Sequence, residues 1–182
     1  MKKLMTILLA VILIAGFSSV SNAQISIGAK AGIAMPMGDF GDGYNMGFGG
    51  VATGEYSLND NMSLGLNIGF YTFGGKDLPS GVTASFNVIP IIADFKYYFQ
   101  TEGFIPYAGL GLGLHMQTSK YSASIIDVST SESNFAIIPK AGFWMGDDFK
   151  WGASLEYNIV SFAENSVGHL GINVGILYPL GK

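Results

Sequence analysis

The stretch "MSLGLNIGFYTF", Met62 to Phe73, carries an oily residue at every second position: Met62, Leu64, Leu66, Ile68 and Phe70. Between them stand Ser63, Gly65, Asn67, Gly69 and Tyr71. A period of two belongs to a β-strand with two unlike faces. The fold then turns on which face meets water, because a soluble sheet and a membrane barrel answer in opposite ways.

The same period recurs along the chain. It predicts eight strands: Ile25–Met35, Met46–Leu58, Met62–Phe73, Phe86–Phe99, Phe104–Gln117, Asn134–Met145, Phe149–Val160 and His169–Tyr178. Helical periodicity is absent from this region, and glycine is too frequent in it for helices. Three connections are tight and polar, "LNDN" (Leu58–Asn61), "QTEG" (Gln100–Gly103) and "GDD" (Gly146–Asp148), the chemistry of hairpin turns. The other four, Pro36–Asn45, Gly74–Ser85, Thr118–Ser133 and Ser161–Gly168, are longer. Long and short alternate strictly. In an up-and-down barrel this gathers every long loop at one end, as outer-membrane barrels do with outside loops and periplasmic turns.

The polar face of these strands lacks the Lys and Glu of a water-exposed surface. It is built from Ser26, Gly28, Gly32, Gly47, Gly49, Thr53, Ser63, Asn67, Gly109, Gly111, Gly113, Ser154, Asn158 and Asn173. Small residues suit a crowded interior. The oily face is too extensive to fill so narrow a barrel, so it is expected to point outward into lipid. All seven strand charges, Lys30, Glu55, Asp94, Lys96, Lys140, Lys150 and Glu156, fall on the polar parity. A Lys facing lipid at mid-membrane would cost about 2–4 kcal/mol. The alternation is weakest in Phe86–Ile92, where both faces are oily and Pro90 removes a ladder donor. Phe95, Tyr97 and Phe99 set that strand's phase instead.

Aromatic residues gather at the short-turn end. Tyr56, Tyr97, Phe99, Phe104, Trp151 and Tyr178, joined by Phe143 and Phe149, predict an interfacial girdle on the periplasmic side. A thinner one, Phe48, Phe70, Phe135 and Tyr157, stands at the loop end.

Composition agrees with a membrane barrel. The chain is 49% hydrophobic and 12% charged, where an ordinary soluble domain has about 25% charged residues. Its 26 glycines are scattered through the oily stretches. The formal charge is −4 and arginine does not occur, so nucleic acid is excluded as a partner. The absence of cysteine rules out disulfides, thiol catalysis and thiolate-bound metal. Met1-Lys2-Lys3, the apolar run Leu4–Phe17 and the ending "SSVSNA" read as a secretory signal over residues 1–23, with the barrel occupying 24–182.

The segments "PMGDF" (Pro36–Phe40), "GFGGVATGEYSLNDNMSLGLNIGF" (Gly47–Phe70), "IPIIADFKYYF" (Ile89–Phe99), "PYAGLGLGL" (Pro106–Leu114) and "FAIIPKAGF" (Phe135–Phe143) carry a family likeness. With them the chain resembles small Gram-negative outer-membrane proteins of the eight-stranded OmpA/OmpX-type architecture. It is similar in particular to the porin-like outer-membrane-protein β-barrel domain family. The resemblance implies an all-β, eight-stranded antiparallel up-and-down transmembrane β-barrel. It also implies contact with outer-membrane lipid and lipopolysaccharide, and insertion by the barrel-assembly machinery. Barrels of this kind usually end on an aromatic residue, whereas here Tyr178 is followed by Pro179 to Lys182.

An eight-stranded barrel is just wide enough for side chains to fill. Buried charges persist when paired, so Lys30, Glu55, Asp94, Lys96, Lys140 and Glu156 are expected to cross-link the lumen, together with Tyr71, Tyr107 and Asn158. A filled structural lumen is favoured over an ion path or proton relay. The two histidines, His115 and His169, fall at loop-end positions on the inward parity. Neither faces lipid as a lipid-editing hydrolase would require. Ser161, Glu164, Ser166 and His169 are near in sequence, which is not triad geometry. "GDFGD" (Gly38–Asp42) lacks the spacing and terminal Glu of a calcium loop, and "GLGLGL" lies mid-strand rather than before a helix. No catalytic residue, metal ligand or cofactor is assigned.

Function is thereby left to the four long loops. Lys76 and Lys120 stand there against Asp39, Asp42, Asp77, Asp127, Glu132 and Glu164, a mildly acidic rim open to an unidentified extracellular ligand. "SIIDV" within Thr118–Ser133 could extend a strand above the membrane. Three readings stand: a non-enzymatic structural or surface-interaction barrel; a conduit or binding site for small or hydrophobic solutes near Val51, Ile92 and Ile138; and a secreted lipocalin-like carrier.

Overall fold

A computed structural model describes residues 25–76, 82–123, 126–161 and 166–180. The expected signal segment lies outside the described residues. The strands are β1 (Ile25–Met37), β2 (Gly47–Asn59), β3 (Met62–Gly74), β4 (Val82–Tyr98), β5 (Phe104–Ala123), β6 (Ile126–Met145), β7 (Lys150–Ser161) and β8 (Ser166–Pro179). Each pairs antiparallel with the next, and β8 pairs with β1 to close the barrel. Closure removes every edge from the barrel wall, which a membrane sheet requires because lipid supplies no hydrogen-bond partner.

The period-two pattern resolves into an inside and an outside. On β3 Leu64, Leu66 and Ile68 are exposed on the outer face, while Ser63 and Asn67 are buried within. The ambiguous β4 follows the phase set by its C-terminal half: Val88, Pro90, Ile92, Asp94 and Lys96 face inward, and Ile89, Ile91, Phe95 and Tyr97 outward. The wall is interrupted at two prolines. The β3–β4 pairing skips Gly69 and Phe70 opposite Pro90, and the β6–β7 pairing skips Ile138 and Pro139. Each proline lacks the amide hydrogen that a ladder needs.

The expected loops Gly74–Ser85 and Ser161–Gly168 are shortened, because β4 begins at Val82 and β8 at Ser166, and the other two differ in kind. Thr118–Ser133, read as a long loop, is strand almost throughout: β5 and β6 are 20 residues each and remain paired up to Ala123 and Ile126. Ser and Thr fall on both parities of this segment, so alternation vanishes although pairing continues. The Pro36–Asn45 connection, expected to be free of helix, holds one helical turn, α1 (Asp39–Gly43). A single turn is too short to register as a 3.6-residue period. Among the short turns, Gly103 and Gly146 adopt φ of 67° and 100°, a region only glycine enters without strain.

Candidate functional site

Inward side chains fill the lumen in three tiers. Nearest the short turns, Ile105, Tyr107, Trp144 and Leu177 pack together, with Tyr98 against them. Tyr107 stacks on Trp144 at 6.3 Å and meets Tyr98 edge-on at 5.7 Å. This floor follows from parity: where Tyr97 and Phe143 turn outward, Tyr98 and Trp144 must turn in.

Above the floor lies an ionic tier that six strand residues form across the barrel. Glu55 pairs with Lys96, whose ammonium also lies 4.0 Å from Asp94 Oδ2. Lys140 Nζ sits 2.8 Å from the same Asp94 oxygen and 3.7 Å from Glu156 Oε2, and Lys30 closes the run on Glu156 Oε1. Three cations and three anions thus alternate in one chain of contacts drawn from β1, β2, β4, β6 and β7. All six residues are buried. Burying an isolated ion costs several kcal/mol, and the cost is offset only where geometry is good and further hydrogen bonds are supplied. Glu55 and Glu156 receive such bonds, whereas Asp94 Oδ1 has no partner among the described residues. Tyr98 Oη donates to Glu55 Oε2 at 2.6 Å, and Ser154 Oγ donates to Glu156 Oε1 at 3.0 Å. Lys96 Nζ also lies 5.4 Å from the centre of the Tyr107 ring, a cation–π distance.

Glycine makes room for this tier. A Cβ at Gly109 would meet Lys96 Cγ at 3.1 Å and Lys140 Cγ at 3.3 Å, and one at Gly175 would meet Lys30 Cγ at 2.6 Å. The long lysine stems therefore lie flat on bare backbone.

The expected partners Tyr71, Tyr107 and Asn158 sit around the ions without bonding to the charged groups by hydrogen bonds of their own side chains. Tyr71 Oη donates to Asn173 Oδ1 at 2.8 Å, and Asn158 Nδ2 donates to the Glu156 backbone carbonyl at 3.2 Å. Tyr98, which the sequence reading did not single out, is the tyrosine that bonds a carboxylate. Its signal was available in "KYYF": Lys96 and Tyr98 share one parity.

The third tier is apolar and reaches the long-loop end. Ile92, Ala136, Ile138 and Val160 form one cluster, and Ala34, Phe40, Val51, Tyr71, Phe73 and Val88 another. Val51, Ile92 and Ile138, the residues of the expected solute pocket, are buried in these clusters. A Cβ on Gly111 would approach Ile92 Cγ2 to 2.8 Å and Ile138 Cβ to 3.4 Å, and one on Gly69 would reach Val51 Cγ2 at 2.7 Å. The α1 turn closes the top. Phe40 packs against Phe73 and Phe86 at 5.2 and 5.1 Å, with Tyr44 beside it. Backbone bonds fasten this cap to the β3 exit: Asn45 N to Gly74 O at 2.8 Å and Lys76 N to Gly43 O at 3.0 Å. His115 and His169 are buried just beneath it.

Outside, Tyr97, Phe99, Phe104, Trp151 and Tyr178 expose their rings at the short-turn end, and Tyr56 is half-buried there. Above and beyond them the wall is a band of Leu, Ile, Phe and Val. Among the described residues no group of three or more His, Asp or Glu side chains could hold a metal ion.

A closed eight-stranded barrel with an apolar outside and a charged inside invites one comparison above others. The model of the outer membrane protein beta-barrel domain matches residues 5–178. The chain belongs to this family. Solved barrels agree in fold. Neisserial surface protein A aligns over 87% of this chain and 99% of its own, with a TM-score of 0.63 and 18% identity. A major outer membrane protein from Thermus thermophilus covers 87% and 100%, with a TM-score of 0.62 and 12% identity. Ail of Yersinia pestis, crystallised with the heparin analogue sucrose octasulfate, covers 86% and 97%, with a TM-score of 0.54 and 22% identity. No curated protein matches by sequence. Family and neighbours place the barrel in the outer membrane.

Proposed function

We propose that this outer-membrane barrel is a non-enzymatic protein with a plugged lumen, serving the envelope structurally and as an interaction surface at its long-loop end. The single observation carrying this reading is the three-tier filling of the interior: aromatic floor, paired ions, capped apolar roof. In this reading the six charges hold the wall together rather than pass a solute. The exposed rings at the short-turn end sit at the periplasmic interface, where an amphipathic ring is at home. Residues 1–23 act as a cleaved export signal, and the assembly machinery inserts the barrel.

The surface presented outward is the paired β5–β6 extension with the α1 cap. Exposed Asp39, Asp42 and Glu132 stand there against Lys76 and Lys120. That balance does not support carrying the sulfated ligand of Ail over to this chain. Contact with lipopolysaccharide would run through the apolar wall and through cations bridging acidic groups. The solute-conduit reading needs free volume at Val51, Ile92 and Ile138, and their packing weighs against it. Planar-bilayer recording of the refolded protein tests the proposal: a silent bilayer is expected, whereas large, stable conductance steps would overturn it.

A further inference from the structure

The chain has two histidines, and the barrel brings their rings close together. His115 comes from β5 and His169 from β8, strands that are not neighbours in the wall. Their ring centres lie 6.0 Å apart across the upper lumen, tilted by 38°. Both are buried, His115 to 1% exposure. Neither Nδ1 nor Nε2 of His115 has a hydrogen-bond partner among the described residues. A buried polar group left unmatched costs about 1–3 kcal/mol, and such a group in a native interior calls for an explanation. The rings around His169 are Tyr71 at 6.4 Å and Phe73, edge-on, at 5.6 Å. The Tyr71 hydroxyl is engaged by Asn173, and the nearest carboxylate tier, at Glu156, is already held by Lys30, Lys140 and Ser154.

From this geometry we infer that His115 and His169 form a two-coordinate site for a monovalent copper ion. Imidazole nitrogen suits copper. With metal–nitrogen bonds of about 2.0 Å, two imidazole rings on one ion have centres about 5 Å apart at a tetrahedral angle and about 6–6.5 Å apart when nearly linear. The observed 6.0 Å between ring centres is the separation a wide angle needs, which a monovalent ion with a filled d shell accepts with two ligands. Zinc would demand four ligands, and the described residues offer no third His, Asp or Glu beside the pair. A single charge also costs less to bring into a dry lumen than a double one. The site lies below the Phe40 cap, at the long-loop end of the lumen. This inference is independent of whether the barrel conducts solutes.

The test uses the full refolded chain in detergent micelles, titrated anaerobically with copper(I) and, as a redox-inert substitute, with silver(I). The expected result is one ion per chain, with the ring ¹⁵N signals of both histidines shifting together. His115→Leu and His169→Leu should each weaken binding about 100-fold or more, a larger loss than outer-shell changes cause, and His169→Met should restore much of it through a thioether. Circular dichroism and heat-dependent gel migration establish that each variant is folded, and the ring shifts in the unaltered chain decide the matter where one is not. Absence of binding, retention of full affinity in both leucine variants, or shifts confined to methionine methyl groups would overturn the site.

Discussion

Lys140 Nζ lies 2.8 Å from Asp94 Oδ2, joining β6 to β4 across the strand between them. The intervening β5 presents Gly109 and Gly111 on the inner face, so nothing separates the two groups. Removing one partner strands the other in a dry interior. Asp94→Asn or Lys140→Met is expected to lower barrel stability by about 3–5 kcal/mol. The double variant should lose less than the sum of the two. Equilibrium urea unfolding of all four proteins in one detergent measures the coupling.

Leu66 is exposed midway along β3 on the outer face. Leu66→Lys is expected to reduce folding into lipid vesicles by about 2–4 kcal/mol, the cost of a cation near the bilayer midplane. A neutral outcome would mean that this face does not meet hydrocarbon.

Gly111 faces Ile92 and Ile138 with no room for even a Cβ at ordinary contact distance. Gly111→Leu should therefore be destabilising by about 1–3 kcal/mol or more through overpacking. A solute cavity at the same place would absorb the leucine without cost. Thermal unfolding in micelles distinguishes the two.

Phe40 anchors the α1 cap against Phe73 and Phe86. Phe40→Ala should free the cap locally and leave the barrel intact, because the barrel's own ladders do not run through it. Amide exchange at Asn45 and Lys76, which donate the fastening bonds, is expected to accelerate by roughly 100-fold, corresponding to about 3 kcal/mol of lost burial. Conductance should stay silent, since the Tyr107–Trp144 floor is untouched.

Trp151 is exposed at the short-turn end, whereas Trp144 is buried in the floor. In Trp144→Phe, the remaining Trp151 fluorescence should be quenched by lipids brominated near the glycerol and little by those brominated at the chain ends. The reverse pattern would remove the interfacial girdle.

The strands were legible because lipid acts on residues one at a time. Met62–Phe73 announces its two faces with no reference to the rest of the chain, and even β4 yielded to the alternation of Phe95, Tyr97 and Phe99. Legibility failed where that pressure stops. Beyond the apolar band, Ser and Thr occupy both parities of Thr118–Ser133, so a strand pair looked like a loop. One turn of helix at Asp39–Gly43 left no period to read. Tyr98 and Trp144 were readable by parity alone, yet their roles in the ionic tier and the floor were not.

By itself, the sequence determined the number of strands, the face given to hydrocarbon and the inward placement of the six charges of the ionic tier. Each of these is enforced locally, by the cost of a polar group in lipid and by the pleat that sends alternate side chains to opposite sides. The tertiary structure decided which cation meets which anion, that Tyr98 serves Glu55, that Phe40 caps the mouth and that His115 comes to face His169. Apart from Lys140–Glu156, paired across β6 and β7, and Lys96–Asp94 within β4, those partners sit on elements that are not sequential neighbours, and only the stagger with which eight strands close into a barrel sets their common height.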